Sequence, residues 1–200
     1  MQIAIDGHIA SGKGTIAKSL SEKLGFLYLD TGSVYRKLAL FSLTLENPSL
    51  IVDYLNNIEI ENIEGDIRSL EVSSAASKIA ILEEVRNFVT NYAKKYAEGK
   101  SIIMDGRDIA TVIMPNADFK FFVTASLDER AKRRFLELSE KGETHTLEEV
   151  KKSIEERDER DSKREIAPLK PTEDSIIIDN TNMDKEECLQ FILAIINKKL

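Results

Sequence analysis

Five short runs of apolar residues recur along the 200-residue chain, and each run is nearly continuous rather than alternating with polar residues. Such runs, rich in β-branched and aromatic side chains, are typical of strands buried on both faces of a parallel sheet. Helical patterns separate them, which predicts an open α/β fold with right-handed crossovers, formed by residues 1–200 as a single domain. The predicted strands are Gln2–Asp6, Phe26–Asp30, Ser101–Asp105, Phe119–Ala125 and Ser175–Asn180.

The segments between these strands carry apolar faces and helix start patterns. The first helix is predicted at Lys13–Leu24, with an apolar face of Ile16, Ala17, Leu20 and Leu24. The last is predicted from Asp184 to Leu200, with an apolar face of Cys188, Phe191, Ile192 and Ile195, and with Lys198 and Lys199 in its final turn. Capping-box patterns at Ser126–Glu129 and Thr146–Glu149 predict two more helices, running towards Leu138 and Arg164.

Two segments fit this alternation poorly. Asn47–Arg68 is polar with short apolar pairs, which favours a small insertion into the core fold. Ser139–Thr146 contains Gly142 among charged residues and is predicted to be a mobile loop between two charged helices. Ordinary surface loops would explain both segments equally well.

Composition narrows the possible environments and partners. The chain has 42% apolar and 32% charged residues, a net charge of −7 and one cysteine, Cys188. The negative charge argues against general binding to nucleic acid or anionic lipid, and a lone cysteine fits a reducing compartment. The first apolar run is too short for a signal peptide, and no run approaches the roughly 20 residues that span a bilayer. We therefore expect a soluble cytoplasmic monomer that binds neither nucleic acid nor membrane.

A glycine-rich loop joins the first predicted strand to the first predicted helix. Its residues are Gly7, His8, Ile9, Ala10, Ser11, Gly12, Lys13, Gly14 and Thr15. The glycines allow the backbone N–H groups to point inwards at phosphate oxygens, at the positive end of the helix, and Lys13 adds a full charge. The loop predicts binding of a nucleotide such as ATP through its phosphates. Within it, His8 is interpreted as a surface residue rather than a catalytic base, and His145 elsewhere as a solvated loop residue.

Charged residues follow two other strands at the edge where ligands bind in open α/β sheets. Arg36 follows the second strand and Arg107 the third, each near a glycine, so both can reach a second phosphate. Asp105 lies where such folds place a carboxylate near Mg²⁺, and Thr15 is a second candidate ligand for this cofactor. The alternative is that these residues cap helices and pair with one another.

The densest charged run is Arg157–Arg164, in which Arg157, Asp161 and Arg164 share one helical face. Pro168 and Pro171 end this helix just before the last strand, so the face is directed at the same sheet edge. The preceding helix adds Arg130, Lys132, Arg133 and Arg134. A solvated helix with internal ion pairs is the alternative. Many arginines with no evident catalytic His or Cys favour phosphoryl transfer to a phosphate acceptor, which needs no general base.

At these residues the sequence resembles the bacterial cytidylate kinases of the P-loop nucleoside monophosphate kinase family. The matching segments are IDGHIASGKGT, LDTGSVYR, SSAASKIA with Val85-Arg86, DGRDIATVIMP and RDERDSKREIAPLKP, in order along nearly the whole chain. The resemblance implies transfer of the γ-phosphoryl group of ATP to CMP and dCMP. It also implies a monophosphate-binding insertion at residues 37–98 and a small lid at residues 139–164.

The resemblance further implies roles for single residues. Lys13, Arg107, Arg157 and Arg164 are the expected catalytic residues. Contacts to the acceptor phosphate are expected from Thr31, Arg36 and Arg107, and contacts to ribose and phosphate from Arg157, Asp161 and Arg164. Ser77, Arg86 and Asp108 are the expected cytosine readers, since Asp108 can accept from the N4 amino group while the other two donate to N3 and O2. Uracil lacks the N4 donor and would leave Asp108 facing an acceptor.

The sequence departs from the family pattern in three places. Ala10 and Ala110 stand where glycine is common, and both are small enough for little to be expected of the change. The segment between Arg36 and Arg68 is shorter than in the longer bacterial members.

Two alternatives remain open: a related kinase acting on UMP, AMP or a non-nucleotide acceptor such as shikimate, and a GTPase-type switch, which the absence of an Asn-Lys-x-Asp motif disfavours.

Overall fold

The computed structural model describes the backbone of residues 1–199 and the side chains of residues 1–198. Within residues 1–199 the chain forms one five-stranded parallel sheet with the strand order β2-β3-β1-β4-β5. The strands are β1 (Gln2–Gly7), β2 (Leu27–Asp30), β3 (Ile102–Gly106), β4 (Phe119–Thr124) and β5 (Ile176–Asp179). The predicted α/β fold is confirmed, and every strand begins and ends within one residue of its predicted bounds.

Helices connect the strands throughout the same described range. They are α1 (Lys13–Leu24), α2 (Thr31–Ser42), α3 (Ile51–Tyr54), α4 (Leu70–Ile79), α5 (Glu83–Ala97), α6 (Leu127–Glu140), α7 (Leu147–Lys163) and α8 (Lys185–Lys199). Short 3₁₀ turns at Pro48–Leu50 and Ile60–Asn62 and a π-helix at Ile109–Ile113 complete the elements. None of the helices in residues 1–199 is long and apolar enough to cross a membrane. Leu200, where the last helix is predicted to end, lies outside the described residues.

Burial on both faces is a property of the three central strands rather than of all five. In β1, Ile3, Ala4 and Ile5 have no exposed surface, because helices cover both sides of the sheet. The strands at the two edges differ, since Leu27 in β2 and Ile177 in β5 are 43% and 61% exposed. An edge strand has a neighbour on one side only, so an apolar run alone does not show how deeply it is buried.

The helices α1 and α8 cover one face of the sheet, where α8 buries Cys188, Leu189, Ile192 and Ile196. The buried face of α8 is thus centred closer to Leu189 than its sequence pattern predicts. Phe191 is 46% exposed, so its predicted place in the apolar face is wrong. Helix α5 and the π-helix cover the opposite face.

Residues 37–98 form a second apolar cluster beside the sheet, built mainly from α2, α4 and α5. The segment Asn47–Arg68, which is polar in sequence, joins this cluster through Ile51, Leu55 and Ile60, all of them buried. The few apolar residues of Asn47–Arg68 are therefore sufficient to pack this segment against α2 and α5. This packing lets a short segment hold a defined position with only one turn of α-helix.

The two predicted capping boxes have different outcomes. Thr146 makes a complete box at the start of α7, because its hydroxyl accepts from the Glu149 amide while the Glu149 carboxylate accepts from the Thr146 amide. Ser126 accepts from the Glu129 amide at the start of α6, but the Glu129 carboxylate pairs with Arg133 instead. That capping box is therefore only half formed, because a nearby guanidinium competes for the carboxylate.

The end of β1 has room for glycine alone. Gly7 has a φ of 152°, and a Cβ atom on it would lie 1.9 Å from the carbonyl oxygen of Val123 in β4. Any side chain here would push the two central strands apart. The glycine lets the chain leave β1 at the sheet edge and turn at once into the loop that precedes α1.

Candidate active site

A cleft of about 690 Å³ lies at the carboxyl edge of the sheet and brings together most of the residues singled out in the sequence. The predicted residues that line it are Ile9, Ala10, Gly12, Lys13, Gly14, Thr15, Thr31, Arg36, Ser77, Asp105, Arg107, Asp108, Arg157, Asp161 and Arg164. Gly7, His8, Ser11 and Arg86 lie outside this lining. The cleft joins the glycine-rich loop to residues from α2, α4 and α7, as expected for strands that end at one edge.

Side chains outside the glycine-rich loop hold its backbone carbonyls, a role that was not predicted for them from the sequence. Asn180, which follows β5 and is buried, donates to the Ser11 carbonyl at 2.8 Å and accepts from Arg133 at 3.0 Å. Arg130 donates to the Ile9 carbonyl at 3.3 Å. In a planar trans peptide the C=O and the next N–H point in opposite directions. Drawing these two carbonyls away from the cleft therefore turns the following N–H groups towards it.

Two residues of this loop adopt left-handed backbone conformations. Gly12 has a φ of 80° and Ala10 a φ of 57°. Glycine takes such values freely, whereas an alanine there costs on the order of 1 kcal/mol. Having alanine rather than glycine at position 10 thus costs conformational free energy, which the small size of the side chain did not indicate.

Lys13 begins α1, is largely buried and donates to the His8 carbonyl at 3.4 Å. Burial, followed by the nearby charge of Arg107, lowers the pKa of Lys13 from 10.5 to about 7. A cation this poorly compensated is a strong attractor for an anion such as a phosphate group.

Binding of ATP is expected to restore the full charge of Lys13. At pH 8 this amine is mostly neutral, and a neighbouring phosphate favours its charged form, so binding takes up a proton. At pH 6 the amine is already protonated and this uptake vanishes. Calorimetry of ATP binding in two buffers of different ionisation enthalpy measures the uptake. Lys13→Met should abolish it at pH 8, and an unchanged uptake in that variant would contradict the assignment.

His8 is half-buried, so the prediction of a surface side chain is wrong. Its Nδ1 lies 3.1 Å from the Thr124 hydroxyl, and its ring packs edge-on against Phe122 at 5.5 Å between ring centres. Burial lowers the pKa of His8, with the positive charge of Arg130 acting in the same direction. The loop curls back over β4, which sequence position alone did not show. His145 is likewise partly buried, with Nε2 3.0 Å from Glu143, rather than simply solvated.

Asp105 lies at the end of β3 on the floor of the cleft. It accepts from the Tyr28 hydroxyl at 2.7 Å, while its backbone carbonyl accepts from the Thr31 hydroxyl at 2.9 Å. Burial, then repulsion from Asp30, raises the pKa of Asp105 to about 6. The carboxylate is thus expensive to ionise and would be stabilised by a cation. Tyr28 was not predicted, although it occupies the middle of the short strand β2.

The arginines of the cleft pair with carboxylates, as the alternative interpretation of the sequence expected. The pairs are Arg36 with Asp30 at 2.7 Å, Arg107 with Asp161 at 2.8 Å, Arg157 with Asp161 at 3.7 Å and Arg164 with Asp108 at 3.7 Å. The pairing is incomplete. One buried nitrogen on each of Arg36, Arg134, Arg157 and Arg164 has no hydrogen-bond partner among the described residues. Burial and the charge of Arg107 also lower the pKa of Arg157 to about 10.

Two of the residues predicted to read a base, Ser77 and Asp108, line the cleft, and the third, Arg86, lies behind Asp108. Arg86 and Asp108, each 3% exposed, form a close ion pair, and Arg86 also donates to the Ala80 carbonyl at 3.2 Å. Ser77 in α4 is also buried. Tyr35 lines the same cleft, and burial raises the pKa of its hydroxyl to about 12. Tyr35 belongs to the matching segment LDTGSVYR, but no role was predicted for it from the sequence.

Asp6 supports this region from the core. Its two carboxylate oxygens accept from the backbone amides of Ile109 and Ala110, at 2.9 and 2.8 Å. Burial raises the pKa of Asp6 to about 6, against the effect of those two hydrogen bonds. The contacts place the first turn of the π-helix directly after Asp108. This role was not predicted, because the partners lie more than one hundred residues away in the sequence.

Comparison with known proteins supports the same assignment. The sequence model of the family described as Cytidylate kinase matches residues 3–198. The chain belongs to the cytidylate kinase family. It is 43% identical to the cytidylate kinase of Thermotoga maritima, with 100% of this chain and 98% of the relative covered. It is 41% identical to that of Lactococcus lactis subsp. cremoris, with 96% of this chain and 95% of the relative covered.

A solved structure extends the likeness to the fold. The shikimate kinase of Bacteroides thetaiotaomicron superposes with a TM-score of 0.54 over 98% of each chain, at 12% identity. This level of identity supports the shared kinase fold and carries no information on the acceptor. Within the cytidylate kinase family, the substrate must be argued from the residues of the cleft.

Proposed function

We propose that this cytidylate kinase family member transfers the γ-phosphoryl group of ATP to CMP and dCMP. The observation that carries the proposal is the cleft itself. Lys13 and six arginines line it, and four buried guanidinium nitrogens have no hydrogen-bond partner among the described residues. Buried donors without acceptors are costly, and phosphate oxygens would satisfy them.

In the proposed arrangement the glycine-rich loop holds the phosphates of ATP. Its N–H groups and the Lys13 amine face the β- and γ-phosphates, at the start of α1. Thr31, Arg36 and Arg107 bind the acceptor phosphate. Arg107 lies close enough to Lys13 to lower its pKa, so the two can share charge across the transferring group. Lys13, Arg107, Arg157 and Arg164 then stabilise the negative charge of the transition state.

The acceptor phosphate itself is the proposed nucleophile. Its second pKa is about 6, so it is mostly a dianion at neutral pH and requires no general base. The protein then has to align donor and acceptor in line and neutralise their repulsion. This agrees with a cleft rich in arginine, whose one histidine neighbour, His8, lies outside the lining.

Mg²⁺ is the proposed metal cofactor, with Asp105 and Thr15 as its protein-side partners. Among the described residues there is no group of three or more His, Cys, Asp or Glu that could hold a metal ion. Magnesium is usually held by one or two protein groups together with phosphates and water, so this donor set fits. When bound with ATP, the ion would neutralise charge on the β- and γ-phosphates. The Tyr28 hydroxyl donates to the Asp105 carboxylate and orients it at the cleft.

Residues 37–98 and 139–164 are the proposed moving parts, as insertion and lid. They contact one another where Arg157 of α7 donates to the Ser73 carbonyl at 3.2 Å. Arg134 of α6, which precedes the proposed lid, also donates to the Ser73 hydroxyl at 3.3 Å. Lys141 also pairs with Asp66 at 3.0 Å. Polar contacts of this kind can break and reform as substrates enter and leave.

A panel of acceptors tests the proposed substrate. With saturating Mg-ATP, release of ADP is measured by a coupled assay with CMP, dCMP, UMP, AMP and shikimate. CMP and dCMP should give a kcat/KM at least about tenfold above that of UMP, since uracil leaves Asp108 facing an acceptor. A preference for UMP or AMP would refute the proposal, and ADP release without any acceptor would indicate an ATPase instead.

A further inference from the structure

Ser77 makes one contact that the proposed base-reading role does not explain. It lies in α4, is buried, and lines the cleft. Its hydroxyl oxygen accepts a hydrogen bond from Nε of Arg160 in α7 at 3.2 Å. Arg160 does not line the cleft, and its side chain is 35% exposed. The guanidinium therefore approaches Ser77 from outside the cleft that the base would enter.

The Ser77 hydroxyl has few possible acceptors for its own hydrogen. A serine inside a helix commonly donates to the carbonyl four residues earlier, which for Ser77 is that of Ser73. That carbonyl already accepts the Ser77 amide in the helix pattern of α4, and it accepts Nη1 of Arg157 at 3.2 Å. A carbonyl oxygen has two lone pairs, so both are occupied. Helical serines of this protein such as Ser21 and Ser42 donate to the carbonyl three residues earlier, but among the described residues Ser77 makes no such bond to Ser74. The direction left for the Ser77 hydrogen is into the cleft.

We propose that Arg160 is a positioning residue that makes the Ser77 hydroxyl a donor towards the base, and so selects cytosine over uracil. A free hydroxyl can donate or accept. Cytosine presents an acceptor at N3, whereas uracil presents an N–H donor at the same atom. The hydroxyl oxygen has one hydrogen and two lone pairs, and Arg160 occupies one lone pair. Because the Ser73 carbonyl cannot take the hydrogen, the position that faces the base holds the hydrogen rather than the second lone pair, which disfavours the N–H of uracil. The inference rests on the proposed function, because it assumes that Ser77 faces N3 of the base.

Two substitutions of equal length isolate the hydrogen bond. Arg160→Gln places an amide nitrogen at the position of Nε and retains the donor, whereas Arg160→Met places a methyl group there. Both remove the charge. Arg160→Met should lower the ratio of kcat/KM for CMP to that for UMP about tenfold, which corresponds to one well-placed hydrogen bond. Arg160→Gln should keep most of the ratio, and the KM for ATP should change in neither variant.

The outcome expected of a purely structural role is different. If Arg160 only braced α7 against α4, Arg160→Met would reduce turnover of CMP and UMP in equal proportion, and the unchanged ratio would overturn the inference. Glu156→Gln is the matched control, since Glu156 lies 4.0 Å from Arg160 and does not contact Ser77. That variant should leave the ratio unchanged. Thermal unfolding of each variant checks that the fold is retained.

A double-mutant cycle with Ser77→Ala separates this inference from the proposed function. Because Arg160 is argued to act through Ser77, Arg160→Met should not lower the CMP-to-UMP ratio further once Ser77 is alanine. Additive losses would overturn the inference and leave the base-reading role intact. If Ser77→Ala alone leaves the ratio unchanged, Ser77 does not read the base, and both the assignment and the inference fail.

Discussion

Replacing Lys13 with methionine is expected to lower kcat by about two to three orders of magnitude while leaving the fold intact. The ammonium is the one lysine charge held within the glycine-rich loop, and transition-state stabilisation by one such group in a sheltered site is typically of this size. Burial already lowers the pKa of Lys13 to about 7, so its charged form reduces the free energy of unfolding. Removing it should therefore leave thermal stability equal or higher.

Steady-state kinetics and thermal unfolding of the same preparations test this expectation. Lys23→Met is the matched control, because Lys23 lies on the same helix, is 46% exposed and has Glu186, at 3.5 Å, as its ion-pair partner among the described residues. The control should retain normal turnover. Near-normal kcat in Lys13→Met would show that the loop does not grip the transferring phosphoryl group. A large loss of stability would instead mean that Lys13 supports the fold.

Replacing Asp108 with asparagine is expected to lower kcat/KM for CMP about a hundredfold and to leave the KM for ATP unchanged. A carboxylate that accepts from the N4 amino group makes a charge-assisted hydrogen bond, worth roughly 1.5–3 kcal/mol. The amide of asparagine can turn its nitrogen towards the base and donate to O4 of uracil. Because the variant loses activity with CMP and gains activity with UMP, the ratio of kcat/KM for CMP to that for UMP should fall by more than a hundredfold.

The structure makes asparagine a sharper test than alanine at this position. Asp108 is the ion-pair partner of Arg86, which is itself 3% exposed. Asp108→Asn removes the negative charge but keeps an oxygen that can accept from Arg86, whereas Asp108→Ala removes the charge and the acceptor together. Such a loss is strongly destabilising and would obscure the effect on substrate selection. Asp174→Asn is a suitable control, since its ion pair with Lys120 lies at the surface. An equal rise in the KM for ATP would argue against a base-reading role for Asp108.

Much of the cleft could be predicted because its residues follow strand ends directly. Asp105 lies at the end of β3, and Lys13, Arg36 and Arg107 each follow a β-strand by a few positions. In a parallel sheet those positions meet at one edge. The helix carrying Arg157 and Arg164 could also be placed, because its spacing puts both on one face. The roles of these residues in binding and catalysis remain predictions.

The supporting residues could not be predicted, for a common physical reason. Asn180 acts on the loop through the Ser11 carbonyl, and Asp6 acts on the π-helix through two amides. Their partners are backbone groups distant in sequence, and nothing in a local pattern of residue types encodes such a contact. The exposed Phe191 and the half-buried His8 were mispredicted for a related reason, since burial depends on which neighbouring element covers a side chain.

The local sequence was sufficient to place the five strands, the helices α1, α6, α7 and α8, the sheet edge that carries the cleft and most of the charged residues there, whereas α2 to α5 were not predicted. Hydrophobic periodicity and the glycines of the loop encode these features within a few residues of one another. Only the tertiary structure decided how each polar group is directed: the Ser77 hydroxyl, the loop carbonyls and the cleft arginines are all oriented by partners from other elements. Hydrogen-bond direction is a property of pairs of groups, and the fold alone brings those pairs together.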